Sequence, residues 1–280
     1  MIQDVSDTAF WVASYRATET ERPDALFCDP LAERLCGERG RQFAKSMPHS
    51  NMTGWTVVMR TVIIDDYIRQ AVAEGIDLIV NLGAGLDTRP YRLDLPASLR
   101  WIEVDHPSII DYKERELAHE KVRCDLRRIK LDLTDPAVRR AFLSDIGASA
   151  SNILVLTEGV VPYLSVDDAA ALADNLAATP HIKYWIVDYI SAQAMRMITR
   201  SSMQKRLRNA PFRFFPTDWF DFFRSHGWKQ KQMRYLAEEG YKLKRMAPLP
   251  WIYRVLIQFM SQERRKAGGR FSGFAMMERT

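Results

Sequence analysis

The chain has 280 residues, 47% of them hydrophobic, which allows one large α/β domain or two small ones with an ample core. No stretch reaches the roughly 18 continuous apolar residues of a membrane span, and the N-terminus, with Asp4 and Asp7, lacks the apolar block of a secretory signal, so a cytoplasmic protein is expected. The net charge of +5 is uneven: residues 200–280 hold 18 Lys and Arg against 6 acids, and residues 1–199 hold 22 against 29, which scattered bases on solvated faces explain more simply than a nucleic acid or membrane surface.

Along the chain, Cys28, Cys36 and Cys124 are odd in number and widely spaced, which argues against a disulfide framework and matches no tetrahedral metal pattern. They read as packing residues, and no metal site is expected. Between Thr53 and Ala73, apolar residues at Val57, Val58, Val62, Ile63, Tyr67 and Ile68 fall near helical spacing, so the first quarter is expected to be a helical cap over residues 1–75. From Asp77 on, short apolar runs alternate with helical patterns, and strands are expected at 78–82, 100–105, 127–131, 153–158, 184–189, 229–236 and 271–277. Seven strands with helical connections predict an α/β fold with an open, doubly wound and mostly parallel sheet, its ligand-bearing strand ends on one edge. Its core would span 76–190 and 217–280 in a single domain. Residues 191–216 show no strand pattern and are expected to form a lid insertion. Thr217 or Asp218 can cap a short helix ending at Gly227, after which Trp228 opens the next strand. The aromatic cluster from Phe212 to Phe223 reads as core packing, and 250–266 as a helix with an apolar face that packs on the domain or forms a dimer contact.

The densest chemistry lies at the strand ends. The first strand runs into Gly83-Ala84-Gly85-Leu86-Asp87-Thr88-Arg89, a turn where backbone can approach a ligand and where Asp87 and Thr88 suit a helix cap. A dinucleotide fingerprint would place a third glycine at Thr88, and the Asp87 carboxylate is unfavourable beside a pyrophosphate. A cofactor with a cationic amino-acid moiety, such as S-adenosylmethionine, tolerates that charge. The second strand ends at Asp105, suited to ribose hydroxyls; the third at Asp132, suited to an adenine amino group; the fourth at Glu158. Acids recurring at four successive strand ends point to a pocket rather than to isolated caps.

With these motifs in place, the chain resembles the leucine carboxyl methyltransferase and polyketide O-methyltransferase family of class I S-adenosylmethionine-dependent enzymes, whose fold is Rossmann-like. The resemblance rests on Tyr15-Arg16-Ala17-Thr18-Glu19, the segment from Arg22 to Ala32, Arg60, the turn from Asn81 to Arg89, Glu103-Val104-Asp105-His106-Pro107, Leu131-Asp132-Leu133, and Glu158-Gly159-Val160 with Tyr163-Leu164. It implies that Arg60 pairs with the methionyl carboxylate, that Gly83, Ala84 and Gly85 pass close to the methionyl moiety, and that Asp105, with His106 beside it, holds the ribose. It further implies that Asp132 and Leu133 frame the adenine and that Glu158 lies near the ammonium or ribose. Arg16 would hold either the cofactor's or the substrate's carboxylate, and Tyr163 either faces the acceptor or is buried behind the fourth strand. Thr134 stands where protein-methylating members carry an arginine, so a small-molecule acceptor is expected. The implied reaction is methyl transfer to an oxygen, with a carboxylate as first expectation because it is ionised at neutral pH and needs no base. A hydroxyl acceptor would call on a base, for which His49 and His106 are candidates. The alternatives are a protein C-terminal carboxylate as acceptor, a nicotinamide-dependent oxidoreductase, and a non-catalytic RNA-binding module using the bases of 200–234, although no RNA-binding motif accompanies them. A monomer or homodimer is expected.

Overall fold

The computed structural model describes residues 6–46, 50–200, 211–252 and 268–280. Three helices come first: α1 (Ser6–Thr20), α2 (Pro30–Ser46, broken at Gly37) and α3 (Ser50–Ala73). Then follow β1 (Leu78–Leu82), α4 (Arg89–Arg92), β2 (Arg100–Asp105), α5 (Pro107–Glu116), β3 (Asp125–Lys130), α6 (Pro136–Ser149) and β4 (Ile153–Thr157). A 3-10 turn at Val161–Tyr163 leads to α7 (Val166–Ala178), β5 (Ile182–Ile190), α8 (Ala192–Arg200), α9 (Trp219–Ser225), β6 (Trp228–Tyr235), α10 (Leu236–Lys242) and β7 (Ser272–Arg279). All seven expected strands are present, within three residues of the expected ends.

The strands form one sheet in the order β3-β2-β1-β4-β5-β7-β6. β1 to β5 are parallel, and β7 enters antiparallel between β5 and β6, pairing Asp188 with Phe274 and Trp228 with Arg279. β1 and β4 are buried along their whole length because both neighbours and both faces are covered, which is why each reads as a continuous apolar run. The two edges, β3 and β6, carry the charges instead: Arg127, Arg128 and Lys130 on one, Lys229, Lys231 and Arg234 on the other.

Side chains alternate between the two faces. Leu78, Val80, Ile153, Val155, Trp185 and Val187 pack against α6, α7 and α9, with Trp219, Phe223 and Trp228 filling the space beneath β5 and β7. Ile79, Leu154, Leu156, Tyr184 and Ile186 face α3, which contributes Met59, Ile63, Ile64, Tyr67 and Ile68. Each such buried side chain is worth about 1.5–3 kcal/mol relative to exposure, so α3 is part of the sheet's own core and not merely a cap over it. α1 and α2 add a further layer around Phe10, Leu35 and Cys36, which packs onto Leu86 of the glycine turn, Tyr91 of α4 and Ile109 of α5.

Other details also depart from expectation. Cys28 is exposed, so only Cys36 packs as a buried residue, with Cys124 between the two. Within the aromatic cluster Phe214, Trp219 and Phe223 are core, but Phe215 is exposed. Asp218 caps α9 by accepting from Asp221 N–H at 2.8 Å, and Gly227 takes a φ of 83° before Trp228 opens β6, as expected. The 250–266 segment is described only as far as Ile252, and most of it lies outside the described residues, as does 201–210 of the 191–216 insertion.

Candidate active site

Strand order reverses between β1 and β4, which opens a crevice at the carboxyl ends of the parallel strands. A cavity of about 920 Å³ occupies it, large enough for a nucleotide and a small second molecule. Every residue expected at the site lines this one cavity: Arg16, Arg60, Gly83, Ala84, Gly85, Asp105, His106, Asp132, Leu133, Glu158 and Tyr163. No helix among the described residues is long and apolar enough to cross a membrane.

The glycine turn forms its floor. Gly83 and Gly85 adopt φ of 70° and 48°, which only glycine takes without strain. A Cβ on Gly83 would meet Val160 Cγ2 at 2.5 Å, so this backbone packs directly on the segment after β4. Gly85 N–H donates to Asp105 Oδ2 at 2.6 Å and His106 N–H to Oδ1 at 2.7 Å. Burial nevertheless raises the Asp105 carboxyl above its ordinary value, with these two N–H groups pulling the other way. Each oxygen retains lone-pair capacity for a further donor. His106 is exposed, its ring caps α5 at Ser108, and it has no partner suited to general-base work among the described residues. His49 lies outside the described residues.

The expected caps behave differently from the expectation. Thr88 stands at the N-cap position of α4, yet its hydroxyl donates to Asp29 at 2.7 Å. Asp87 accepts from Arg89 N–H, from Arg89 Nη1 at 2.9 Å and from Asn81 Nδ2 at 2.9 Å. Burial works against its ionisation, but Arg89, Lys113 and Arg16 outweigh that and hold the carboxyl well below its usual range. Asp87 is therefore committed to the turn's own support, not open to a cationic ligand.

Arg89 is the hub of that support. Its guanidinium reaches Asp65 at 2.7 Å, Asp87 at 2.9 Å and Glu158 at 2.8 Å, and Asp65 also takes two hydrogen bonds from Arg92. The chain of pairs continues to Asp29, which accepts from Arg16 Nε at 2.8 Å while Arg16 Nη2 donates to the Leu86 carbonyl. Arg16 thus reaches the cavity wall with two of its nitrogens already engaged.

Glu158 sits between two guanidiniums, Arg89 Nη1 at 2.8 Å and Arg60 Nε at 2.8 Å. Burial would raise its carboxyl; Arg89 and Arg60 overcome this and lower it. Among the described residues, Arg60 Nε is buried yet makes no aligned hydrogen bond, and the buried Asn81 Oδ1 at the end of β1 likewise has no partner. An unsatisfied donor and an unsatisfied acceptor on the same wall suit a zwitterionic amino-acid group. Asp132 lies at the exposed rim, where Oδ1 accepts from Thr134 N–H and Oγ, which lowers its carboxyl. Tyr163 stacks on Phe212 with ring centroids 5.0 Å apart, and burial pushes its hydroxyl up to about 12 against the opposing influence of Arg60 and a hydrogen bond with Thr8.

Three contributors carry no site role in the sequence reading: Asn81, which opens the glycine-turn motif, Phe212, read as core packing but lining the cavity, and Asp188. Asp188, at the end of β5, lines the same cavity and accepts from Gly159 N–H at 3.0 Å. Its signal was an acid inside the apolar run Ile182–Ile190. The bases of 211–234 are largely neutralised by neighbours: Arg224 by Asp221, Lys229 by Glu278, Lys231 by Glu74, Arg234 by Asp66 and Glu239. The other bases of the 200–234 stretch, Arg213 apart, lie outside the described side chains.

Comparison with known proteins agrees with this geometry. A family model described as leucine carboxyl methyltransferase matches residues 9–177. A relative from Mycobacteroides abscessus, provisionally named an S-adenosyl-L-methionine-dependent methyltransferase, is 35% identical over 179 residues, 58% of this chain and 58% of that protein. One from Frankia alni with the same kind of name is 30% identical over 266 residues, 87% of this chain and 90% of that protein. The chain matches less than two thirds of the length of several of these relatives, 58% and 64% for those from M. abscessus and Streptomyces avermitilis. Among solved structures, a protein from Thermobifida fusca provisionally described as a methyltransferase superposes with a TM-score of 0.57 at 15% identity, covering 99% of this chain and 95% of that one. A duf574 family protein from S. avermitilis gives 0.54 at 15% identity, covering 96% and 97%. These likenesses show a shared fold.

Proposed function

The chain belongs to the leucine carboxyl methyltransferase family, and on that premise we propose that it transfers a methyl group from S-adenosylmethionine to an oxygen of a small-molecule acceptor. The observation that carries the reading is the wall formed by Arg60, Asn81 and Glu158, where a buried guanidinium nitrogen ion-paired with Glu158 lacks an aligned hydrogen bond and a buried amide oxygen has no partner among the described residues. A methionyl group brings a carboxylate for the first and an ammonium for the second and for Glu158. Asp105 offers both oxygens to ribose hydroxyls, and Asp132 with Leu133 borders the adenine side.

When bound, S-adenosylmethionine supplies a methyl carbon made electrophilic by its sulfonium. The protein's part is alignment and exclusion of water. Gly83 brings backbone close without a side chain in the way. Arg60 would hold one end of the cofactor through its carboxylate, while Glu158 keeps Arg89 as its partner. Tyr163 and Phe212 form an aromatic wall over the β4 and β5 ends, where an apolar acceptor can lie flat. α8 adds Ala194 and Ile198 to the wall, and we read the insertion it opens as the cover of the acceptor side within a single domain. The apolar character of this side favours a small metabolite over a flexible protein C-terminus.

The test is incubation with methyl-labelled S-adenosylmethionine and a pooled set of small acids and hydroxyl compounds, followed by organic extraction and mass spectrometry. A one-methyl mass gain supports the reading; a chain that binds S-adenosylhomocysteine but labels none of the pool contradicts the small-molecule acceptor.

A further inference from the structure

The acceptor side of the cavity holds an acid that the alignment mechanism does not use. Adjacent strands lie about 4.8 Å apart, so residues at the β1, β2 and β3 ends border one half of the cavity and those at β4 and β5 the other. Asp188, at the β5 end, stands on the second half, beside the Tyr163–Phe212 stack. Its carboxylate accepts from the Gly159 N–H, the residue after Glu158. The cation facing it, Arg60 of α3, lies 2.8 Å from Glu158 and is the group suited to the methionyl carboxylate.

We propose that Asp188 is the base that takes the proton from the acceptor, and that the acceptor oxygen is therefore a hydroxyl of an apolar alcohol or phenol, not a carboxylate. This rests on the methyl-transfer reading above. The O–H proton passes to a carboxylate oxygen of Asp188. The acceptor oxygen uses the released pair to form the new bond to the methyl carbon, and the sulfur–methyl bond breaks with its electrons left on sulfur. The oxygen gains a methyl and loses a proton, the sulfonium becomes a neutral thioether, and no oxidant or other co-reactant is needed.

Charge on this side supports a neutral acceptor. Asp188 faces it, and a bound carboxylate would set a second negative charge beside it, since Glu158 is already paired with Arg89 and Arg60. Arg60 is matched to the cofactor, Arg16 is held by Asp29 and the Leu86 carbonyl, and Arg213 is exposed at the mouth. Burial pushes the Asp188 carboxyl up to about 7, with Arg60 and the Gly159 N–H acting to lower it and Glu158 to raise it. A base in that range is ionised often enough to accept a proton and basic enough to pull on one. Tyr163 is the other titratable group facing it.

The test compares wild type with Asp188→Asn. Both should bind S-adenosylhomocysteine with affinities within threefold of each other; absence of binding by wild type would instead remove the parent reading. On the binary complex, 2-naphthol should bind in preference to 2-naphthoate in calorimetry. With labelled cofactor, 2-naphthol should be methylated to a product stable to mild base, and Asp188→Asn should lower kcat by about 100-fold or more with KM little changed. The stability of the two proteins should diverge with pH. A carboxyl raised on folding supports the native state fully below its ordinary value near 4 and loses that support as pH rises to about 7. Asp188→Asn should therefore gain stability over wild type across that window and keep the gain above it. Preference for 2-naphthoate, binding of neither probe, an unchanged kcat, or a pH-independent stability difference overturns the proposal.

Discussion

The Arg60 guanidinium and the Glu158 carboxylate lie 2.8 Å apart across the mouth of the β1–β4 crevice, joined by charge but without an aligned hydrogen bond from Arg60 Nε. Such a pair is poised to exchange partners, each group trading the other for the opposite end of an amino-acid zwitterion. Arg60→Ala should weaken S-adenosylhomocysteine binding by about 10- to 100-fold, the worth of one charge-assisted hydrogen bond of about 1.5–3 kcal/mol. Thermal melting should change little, because Glu158 keeps Arg89. Unchanged affinity in the folded variant would place the methionyl group elsewhere.

The turn itself can be tested through packing. Gly83→Ala puts a Cβ 2.5 Å from Val160 Cγ2 and forces alanine to a φ of 70°, whereas Gly85→Ala meets only Ala9 Cβ at 3.3 Å. Both pay about 1–2 kcal/mol for left-handed backbone, but Gly83→Ala should be the more destabilised of the two in urea unfolding. Adding Val160→Ala to Gly83→Ala should recover the difference, leaving the backbone term. If the double variant is no more stable than the single, the contact is not the cause.

Beneath the turn, Asp65 is 2% exposed and bonded to both Arg89 and Arg92. Asp65→Ala leaves two buried guanidiniums short of a partner and should cost about 3–5 kcal/mol in chemical denaturation. The loss should appear in stability first and in cofactor affinity only through the displaced turn. A loss below 1 kcal/mol would mean that Asp87, Asp29 and Glu158 suffice to hold the arginines.

β1, β4 and β5 are legible because each is an apolar run bounded by glycine, by charge or by a helical pattern, whereas the charged edges β3 and β6 are marked mainly by their place in the alternation of strands and helices. The strand at 271–277 is visible in the same way, but nothing in it says that β7 runs antiparallel between β5 and β6, since that depends on distant partners. Asp105 and Glu158 are equally plain, each closing a strand with an apolar stretch before it. Asp188 is not: it lies within its strand with Tyr189 and Ile190 after it, and only the placement of β5 beside β4 turns it toward the cavity. Arg16 shows the converse. Its partners Asp29 and Leu86 are remote in sequence, so a base legible as a ligand proves to be largely a brace for the glycine turn.

The central claim is that this cavity takes S-adenosylmethionine, and calorimetric titration with S-adenosylhomocysteine and with NADH tests it most directly. One site of micromolar affinity for S-adenosylhomocysteine is predicted, weakened at least about tenfold by Asp105→Ala through loss of charge-assisted hydrogen bonds to the ribose, with no heat from NADH. Micromolar binding of NADH and none of S-adenosylhomocysteine would contradict the account.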